Sequence, residues 1–427
     1  LPCEQFAIFA CVAGPAKTFT VDEAVEHIGF GRFHILLLCI MGSTSVAEAM
    51  EIMLLAVMSP AIRCEWRLEE WQVALVTTMV FFGFMVFSGI WGFFADRYGR
   101  WKILLLVTVW SSYYSLVTSF AHTYVWFIFL RSMVGCGVAG HSQGFVLMTE
   151  FIPSKYRGRI LPLGQIFWLL GSTLEILLAY LIIPTLGWRW LVRISTFPSI
   201  VLLVVFKCIP ESARFNVSVG NTQIATQTLQ YIAKMNRVSL PRGSLVESAP
   251  YLTWIFFSLR TTLQSWFIWL GSAFSYYGLV LTSSELLENN PICNSLESAE
   301  SLHIKSVEIC HCKMFEAADY QTMIISTLGE FICESEHIFI VYCILKHQLL
   351  FPWIYVYPTT IRSLGLGSSS SMARIGAMTA PFIAQVLLPL SPVTSLCLFS
   401  AVCIVCSVLA FTLPIETKDR EMQVRGT

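Results

Sequence analysis

Long apolar stretches, each bounded by short charged clusters, set the rhythm of this chain. Runs without Asp, Glu, Lys or Arg cover 71–95, 103–130, 261–284 and 375–415. A membrane-crossing helix needs ~20 predominantly apolar residues, and the last run holds two such lengths, broken near Pro392. In the first half of the chain the pattern predicts six spans, over 34–60, 71–94, 103–121, 123–149, 160–185 and 191–209. A seventh falls at 262–283, and two more clean spans fall at 366–390 and 393–413. The stretch 321–354, dotted with Glu330, Glu334, Glu336, His337, Lys346 and His347, can cross once at best, for ten crossings in all.

Composition agrees with the pattern. Of the 427 residues 56% are apolar and only 13% charged, half the share usual in soluble globular chains. The 27 Lys+Arg balance the 27 Asp+Glu, so no basic field marks a nucleic-acid partner. The expectation is a multi-pass, all-α protein in a lipid bilayer.

Charge then orients it. Connectors 95–102, 151–159 and 207–260 hold twelve Lys and Arg, whereas 61–70, 122–123 and 186–193 hold four. Basic loops stay in the cytoplasm, which puts the N-terminus, the long central loop and the C-terminal tail there. The segment 284–319 carries seven acidic residues against two Lys and is expected outside, where Cys293, Cys310 and Cys312 could pair. The resulting plan has a cytoplasmic segment 1–32, a six-helix half 33–209, a cytoplasmic loop 210–260, a shorter membrane half 261–415 and a tail 416–427. Within the central loop an amphipathic helix is expected near 221–235, able to lie on the inner membrane face. The first residues, with only Phe6–Ala13 apolar and no basic leader, do not read as a signal peptide, and a chain starting at Leu1 reads as a fragment or an incomplete gene product. The remaining cysteines, among them Cys39, Cys136, Cys397, Cys403 and Cys406, read as small buried apolar residues.

Two patterns suggest mechanism. Glu150-x-x-Pro153-x-x-x-Arg157 repeats as Tyr355-x-x-Pro358-x-x-x-Arg362, and related halves around a central pathway mark transporters. After the second span comes Gly89-x-x-Gly92-x-x-x-Asp96-Arg97-x-Gly99-Arg100. Its glycines permit close helix approach, while Asp96 can pair with the loop's basic residues or sit at a neighbouring helix N-terminus. Such a loop is either a clasp that breaks as two halves rock or a basic loop that only sets topology.

Ionisable groups within spans are candidate functional residues. Glu48 and Glu51 share one face of the first span, Arg131 lies in the fourth and Glu175 in the fifth. They form either a protonation switch or a fixed ion pair. Arg374 could bind an anionic solute or snorkel to the interface. Trp266, Trp269, Phe274, Tyr276 and Tyr277 could line a solute pocket or anchor a span end, and His141 reads as a satisfied core residue. No phosphate loop, nucleophile elbow, zinc motif or dinucleotide fingerprint occurs in the sequence. Neither an enzyme activity, a cofactor nor a metal is expected.

Glycine-Phe-Phe-Ala-Asp96-Arg97-Tyr-Gly99-Arg100-Trp-Lys resembles the signature loop of the major facilitator superfamily. Arg131-x-x-x-Gly135-x-Gly137, Gly187-Trp-Arg-Trp190, Pro210-Glu-Ser-Ala-Arg214-Phe and Pro414-Ile-Glu416-Thr-Lys418 are similar to its sugar-porter and organic-ion branch, and Thr18–His34, Cys64–Leu75 and Phe274–Leu281 to the synaptic-vesicle-2-related proteins. The resemblance implies two six-helix halves and alternating-access transport of a small organic solute, with a proton as candidate coupling ion. The alternative is a non-transporting member with a binding or trafficking role. It also implies a second clasp after span eight, and that clasp and about two spans are missing here. The likeness stops at Phe331 and resumes at Val356, so 332–354 reads as a misread or skipped exon, and a chain so shortened is expected to fold poorly.

Overall fold

The computed structural model describes residues 18–246, 255–288, 314–329, 362–383 and 391–412. Strand β1 (Thr18–Phe19) opens it, followed by α1 (Val21–Ile28), α2 (Arg32–Trp66), α3 (Glu70–Tyr98), α4 (Arg100–Thr118), α5 (Tyr124–Val138), α6 (Gln143–Phe151), α7 (Ser154–Ile160), α8 (Gly164–Leu186) and α9 (Trp188–Val205). Beyond a short 3-10 turn lie α10 (Ala213–Ser218), α11 (Thr222–Asn236) and strand β2 (Ser244–Leu245). The later part contributes α12 (Ile255–Glu288), α13 over 317–329, α14 (Arg362–Phe382) and α15 (Pro392–Phe411).

Five of these helices are long and apolar enough to cross a membrane. At 1.5 Å per residue, the 35 residues of α2 exceed a ~30 Å hydrocarbon layer, so its ends project. Outward faces stay apolar: Phe82, Val86, Ile90 and Phe93 line one exposed side of α3, as a lipid-facing surface should. Cys39, Cys397 and Cys403 are likewise exposed rather than buried, and only Cys136 of the five is enclosed. These three sit on the outer surface of the helices rather than in the core.

Helices form over all six stretches expected to span in the first half, four of them (α2, α3, α8 and α9) long and apolar enough to cross a membrane, with one correction. Span four is not continuous: α5 ends at Val138, Ala139–Ser142 turn, and α6 restarts at Gln143. Gly137 and Gly140 pack so closely on α4 that a Cβ would meet Ser111 N at 2.8 Å and Val107 Cγ1 at 2.3 Å. Side-chain-free backbone is needed there. The helix near 221–235 forms as α11, but it does not lie bare on the membrane. Ala225, Leu229, Ile232 and Ala233 join one apolar cluster with Val21, Ala24, Val25 and Ile28 of α1. A protein partner covers the face that the sequence pattern left open to lipid.

Among the described residues the two halves meet along two main seams. In one, α3 packs along α14, which also packs on α12; α15 lies against α12. In the other, Tyr320 of α13 is buried against Tyr180 of α8 and Phe315. Span seven is longer than expected, and α13 begins inside the stretch assigned to the outer loop and continues into the doubtful crossing. The remainder of that crossing, 332–354, together with Cys293, Cys310, Cys312 and Pro358, lies outside the described residues.

Candidate functional site: an interhelical clasp and a buried charged cluster

Gly99 ends α3 and begins α4 with φ +110°, a conformation that favours glycine. A Cβ there would strike Glu211 Oε2 at 2.2 Å. The tight turn points Asp96 at another helix. Asp96 Oδ1 accepts a hydrogen bond from Ser363 N (3.3 Å) and Oδ2 accepts one from Leu364 N (2.9 Å), both in the first turn of α14. Unpaired N–H groups and the positive end of the helix dipole meet a carboxylate there, so Asp96 joins the halves where α3 ends and α14 begins.

A buried chain of charge stands behind it. Arg100 pairs with Asp96 at 3.0 Å and with Glu150 at 3.5 Å, and the Arg100 and Glu150 side chains are wholly enclosed. Glu211 Oε1 accepts from Arg100 N (3.1 Å) and Trp101 N (3.3 Å), capping α4. Burial pushes the Glu211 carboxyl above the ordinary carboxylate range, opposed by the backbone N–H donors and Arg100. Arg214 donates to the Glu150 carbonyl (2.6 Å) and pairs with Asp22. Arg157 donates to the Ile152 carbonyl at 3.0 Å, and Pro153 caps α7. Arg97 points outward over the Tyr98 ring and takes no part. Arg362 begins α14, but its side chain lies outside the described residues.

Gly92 serves the same seam: a Cβ there would sit 2.4 Å from the Ser363 carbonyl oxygen. Further along, Gly367 opposes the Ser88 carbonyl at 2.4 Å and Ser371 Oγ donates to the Met85 carbonyl at 2.7 Å.

At mid-membrane the acidic face of α2 divides between two partners. Glu51 pairs with Arg131 of α5 at 3.0 Å and accepts from Ser115 of α4. Thr196 donates to Ser115 (3.1 Å), and Ser195 donates to Glu175 (2.8 Å). This cluster lies within the first half. Glu48 instead faces Arg374 of α14 across the halves, at 3.9 Å. Arg374 does not snorkel: its side chain is only 12% exposed, it donates to the Tyr277 hydroxyl at 2.7 Å, and it stacks 3.8 Å from the Phe84 ring centre. With a carboxylate, a phenol and three rings around it, the guanidinium has better company inside than at the interface. Tyr276 packs edge-on against Tyr277. Trp269 packs on the main core, Trp266 donates to Ser368 (3.2 Å), and Phe274 is buried against Phe399. His141 is buried in the span-four turn beside Ser111 Oγ (3.4 Å). Among the described residues no His, Cys, Asp and Glu group could hold a metal.

The sequence profile described as "Sugar (and other) transporter" matches residues 43–271, and the SVOPL protein of Homo sapiens is 54% identical over an alignment covering 95% of this chain and 94% of that protein. This chain belongs to the sugar-transporter family of the major facilitator superfamily. The Synaptic vesicle 2-related protein of Rattus norvegicus is 37% identical, with 95% and 82% covered. In three dimensions the chain is similar to the proton:xylose symporter XylE bound to 6-bromo-6-deoxy-D-glucose, with TM-score 0.59, 13% identity, and 91% and 98% of the two chains covered. Its fold is therefore that of a major facilitator, its setting a membrane crossed several times, and fold and relatives together support transport rather than enzymatic chemistry. The human alignment runs over 460 positions against the 427 residues here, so SVOPL carries residues inside the matched region that this chain lacks.

Asp22, Glu211 and Arg214 were missing from the sequence-based choice of clasp residues. Both surrounding motifs had been noticed, yet the folding of the N-terminal segment back onto the loop has no periodic signal.

Proposed function

We propose that this chain moves a small organic solute across a membrane by alternating access, with the solute binding between α2 and α14. The observation that carries this is the Glu48–Arg374 pair. It is the charged contact at mid-depth between helices of opposite halves among the described residues, and at 3.9 Å it is looser than the 3.0 Å Glu51–Arg131 pair. A loose, partly enclosed pair costs little to separate for a solute that supplies replacement contacts. The Glu51–Arg131 pair, with Glu175 buried in the same half and held by Ser195, is the candidate for coupling.

The test is uptake into liposomes containing the purified chain, beside a version carrying the SVOPL residues absent between Phe331 and Tyr355. Probes are a neutral sugar (xylose), an organic anion (benzenesulfonate) and an organic cation (tetraethylammonium). Saturable uptake by the extended version alone supports both the transport reading and the short second half. Uptake by both keeps transport and removes the argument about missing spans. Saturable uptake of none by either version, with both correctly folded, favours the non-transporting alternative.

A further inference from the structure

We infer that Asp22 is a positioning residue of the cytoplasmic clasp, and that residues 18–31 form a latch whose docking sets how firmly the clasp closes. The inference rests on the alternating-access reading above but concerns a segment that reading does not use.

The latch is built to dock. β1 pairs in parallel with β2, Thr18 opposite Ser244 and Phe19 opposite Leu245, and Val246 N donates to the Phe19 carbonyl at 3.0 Å. Thr20 and Glu23 close a capping box: Glu23 N donates to Thr20 Oγ1 (3.2 Å) and Thr20 N to Glu23 Oε2 (2.9 Å). That box starts α1 at one defined residue and so fixes which side of the helix faces α11. At the far end Phe33 N donates to Asn236 Oδ1 at 3.0 Å, and Gly31 leaves room for the Asn236 side chain. Glu26 meanwhile accepts from Ser154 N, at the start of α7. One short segment thus ties together the loop after span four, the helices after span six and the entry to span one.

Within that segment Asp22 reaches the clasp. Its carboxylate pairs with Arg214, whose side chain is 2% exposed. Arg214 also holds the Glu150 backbone carbonyl, and Glu150 pairs with Arg100, which shares Asp96 with the α14 N-terminus. Asp22 therefore fixes one arm of Arg214 while the other holds the Glu150 backbone. Without it, Arg214 turns wholly to Glu150 and draws it from Arg100, and Arg100 falls back on Asp96. A carboxylate more tightly held by its own helix neighbour is a poorer acceptor for Ser363 N, and the clasp loosens. The latch lies on the cytoplasmic surface, with Asp22 still 16% exposed, so modification or displacement of this segment would bear on opening.

The test is short-range energy transfer, in the purified full chain, between a fluorescent unnatural amino acid at Leu364 and a copper-binding one at Tyr98. Both positions are exposed. Asp22→Asn should raise the open-to-closed ratio roughly threefold or more, Asp22→Glu should restore it, and His27→Gln, at an exposed position of the same helix, should leave it near wild type. Thermal unfolding measured alongside separates a clasp effect from plain destabilisation, which Asp22→Glu would not reverse selectively. An unchanged signal in Asp22→Asn, where Asp96→Asn does open the clasp, overturns the latch while leaving the clasp. An unchanged signal in both sinks the clasp as well.

Discussion

Replacing Gly92 with Ala places one methyl group at the contact between the halves. The new Cβ would lie 2.4 Å from the Ser363 carbonyl oxygen, 2.9 Å from its carbon and 3.0 Å from Leu364 Cα. All three are backbone atoms, so no side chain can rotate away. Ordinary contact begins at 3.4 Å, and α3 and α14 must therefore separate by about 1 Å near the Gly92–Ser363 contact. Overpacking of this kind costs ~1–3 kcal/mol, applied to the closed state alone, because separated halves accommodate the methyl freely. A differential of that size shifts a two-state equilibrium ~5–150-fold. Against it stands the gain of up to ~1 kcal/mol for Ala over Gly within a helix, which acts on both states and cancels. The assay is the Leu364–Tyr98 energy transfer described above, with Gly89→Ala as control, since a Cβ on Gly89 meets nothing within 4 Å. Gly92→Ala should populate the open state and Gly89→Ala should not. Equal signals from the two variants would show that the seam is not a moving contact.

Other outcomes follow from the same geometry. Arg131→Met strands the Glu51 carboxylate in the membrane interior and should cost ~3–5 kcal/mol, seen as lost monodisperse protein in detergent; adding Glu51→Gln should recover much of it. Arg189→Met removes a bidentate pair with Glu65 (2.7 and 2.8 Å) that is about one-third exposed, and should change thermal stability by less than ~1 kcal/mol. The raised Glu211 carboxyl binds its proton more readily in the folded protein than in the unfolded chain, so its contribution is present at low pH and is lost as pH rises through the folded-state value. Glu211→Gln should flatten that part of the pH–stability profile, and an identical slope in both proteins would contradict the assignment.

Much of this fold was legible because a bilayer imposes a long apolar window and an asymmetric distribution of Lys and Arg, both visible in one sequence. The clasp was legible for a related reason: Gly92, Asp96, Gly99 and Arg100 fall within nine residues across the α3–α4 junction, so spacing alone brings them near one another. What spacing could not show was tertiary choice. Glu48 and Glu51 share a helix face, yet one turns to Arg374 of the other half and the other to Arg131 of its own. That division depends on how α14 lies against α3, through Gly367 and Ser88, rather than on any local pattern. Of the two roles left open for Arg374, spacing could not choose the inward one for the same reason, since the rings of Phe81, Phe84 and Tyr277 come from two other helices. The break in span four escaped because neither a proline nor a charged residue marks Val138-Ala-Gly-His-Ser142. The cover over α11 escaped because its partner lies some two hundred residues earlier.

The account stands or falls on the site between the halves. The decisive measurement compares saturable uptake of the three probe solutes into liposomes by wild type, Glu48→Gln and Arg374→Ala, in both the chain and its extended version, with thermal unfolding recorded for each. The prediction is saturable uptake of at least one probe that Arg374→Ala abolishes and Glu48→Gln alters, in proteins that remain folded. Saturable uptake that neither substitution changes would contradict it, placing the solute path away from the α2–α14 contact.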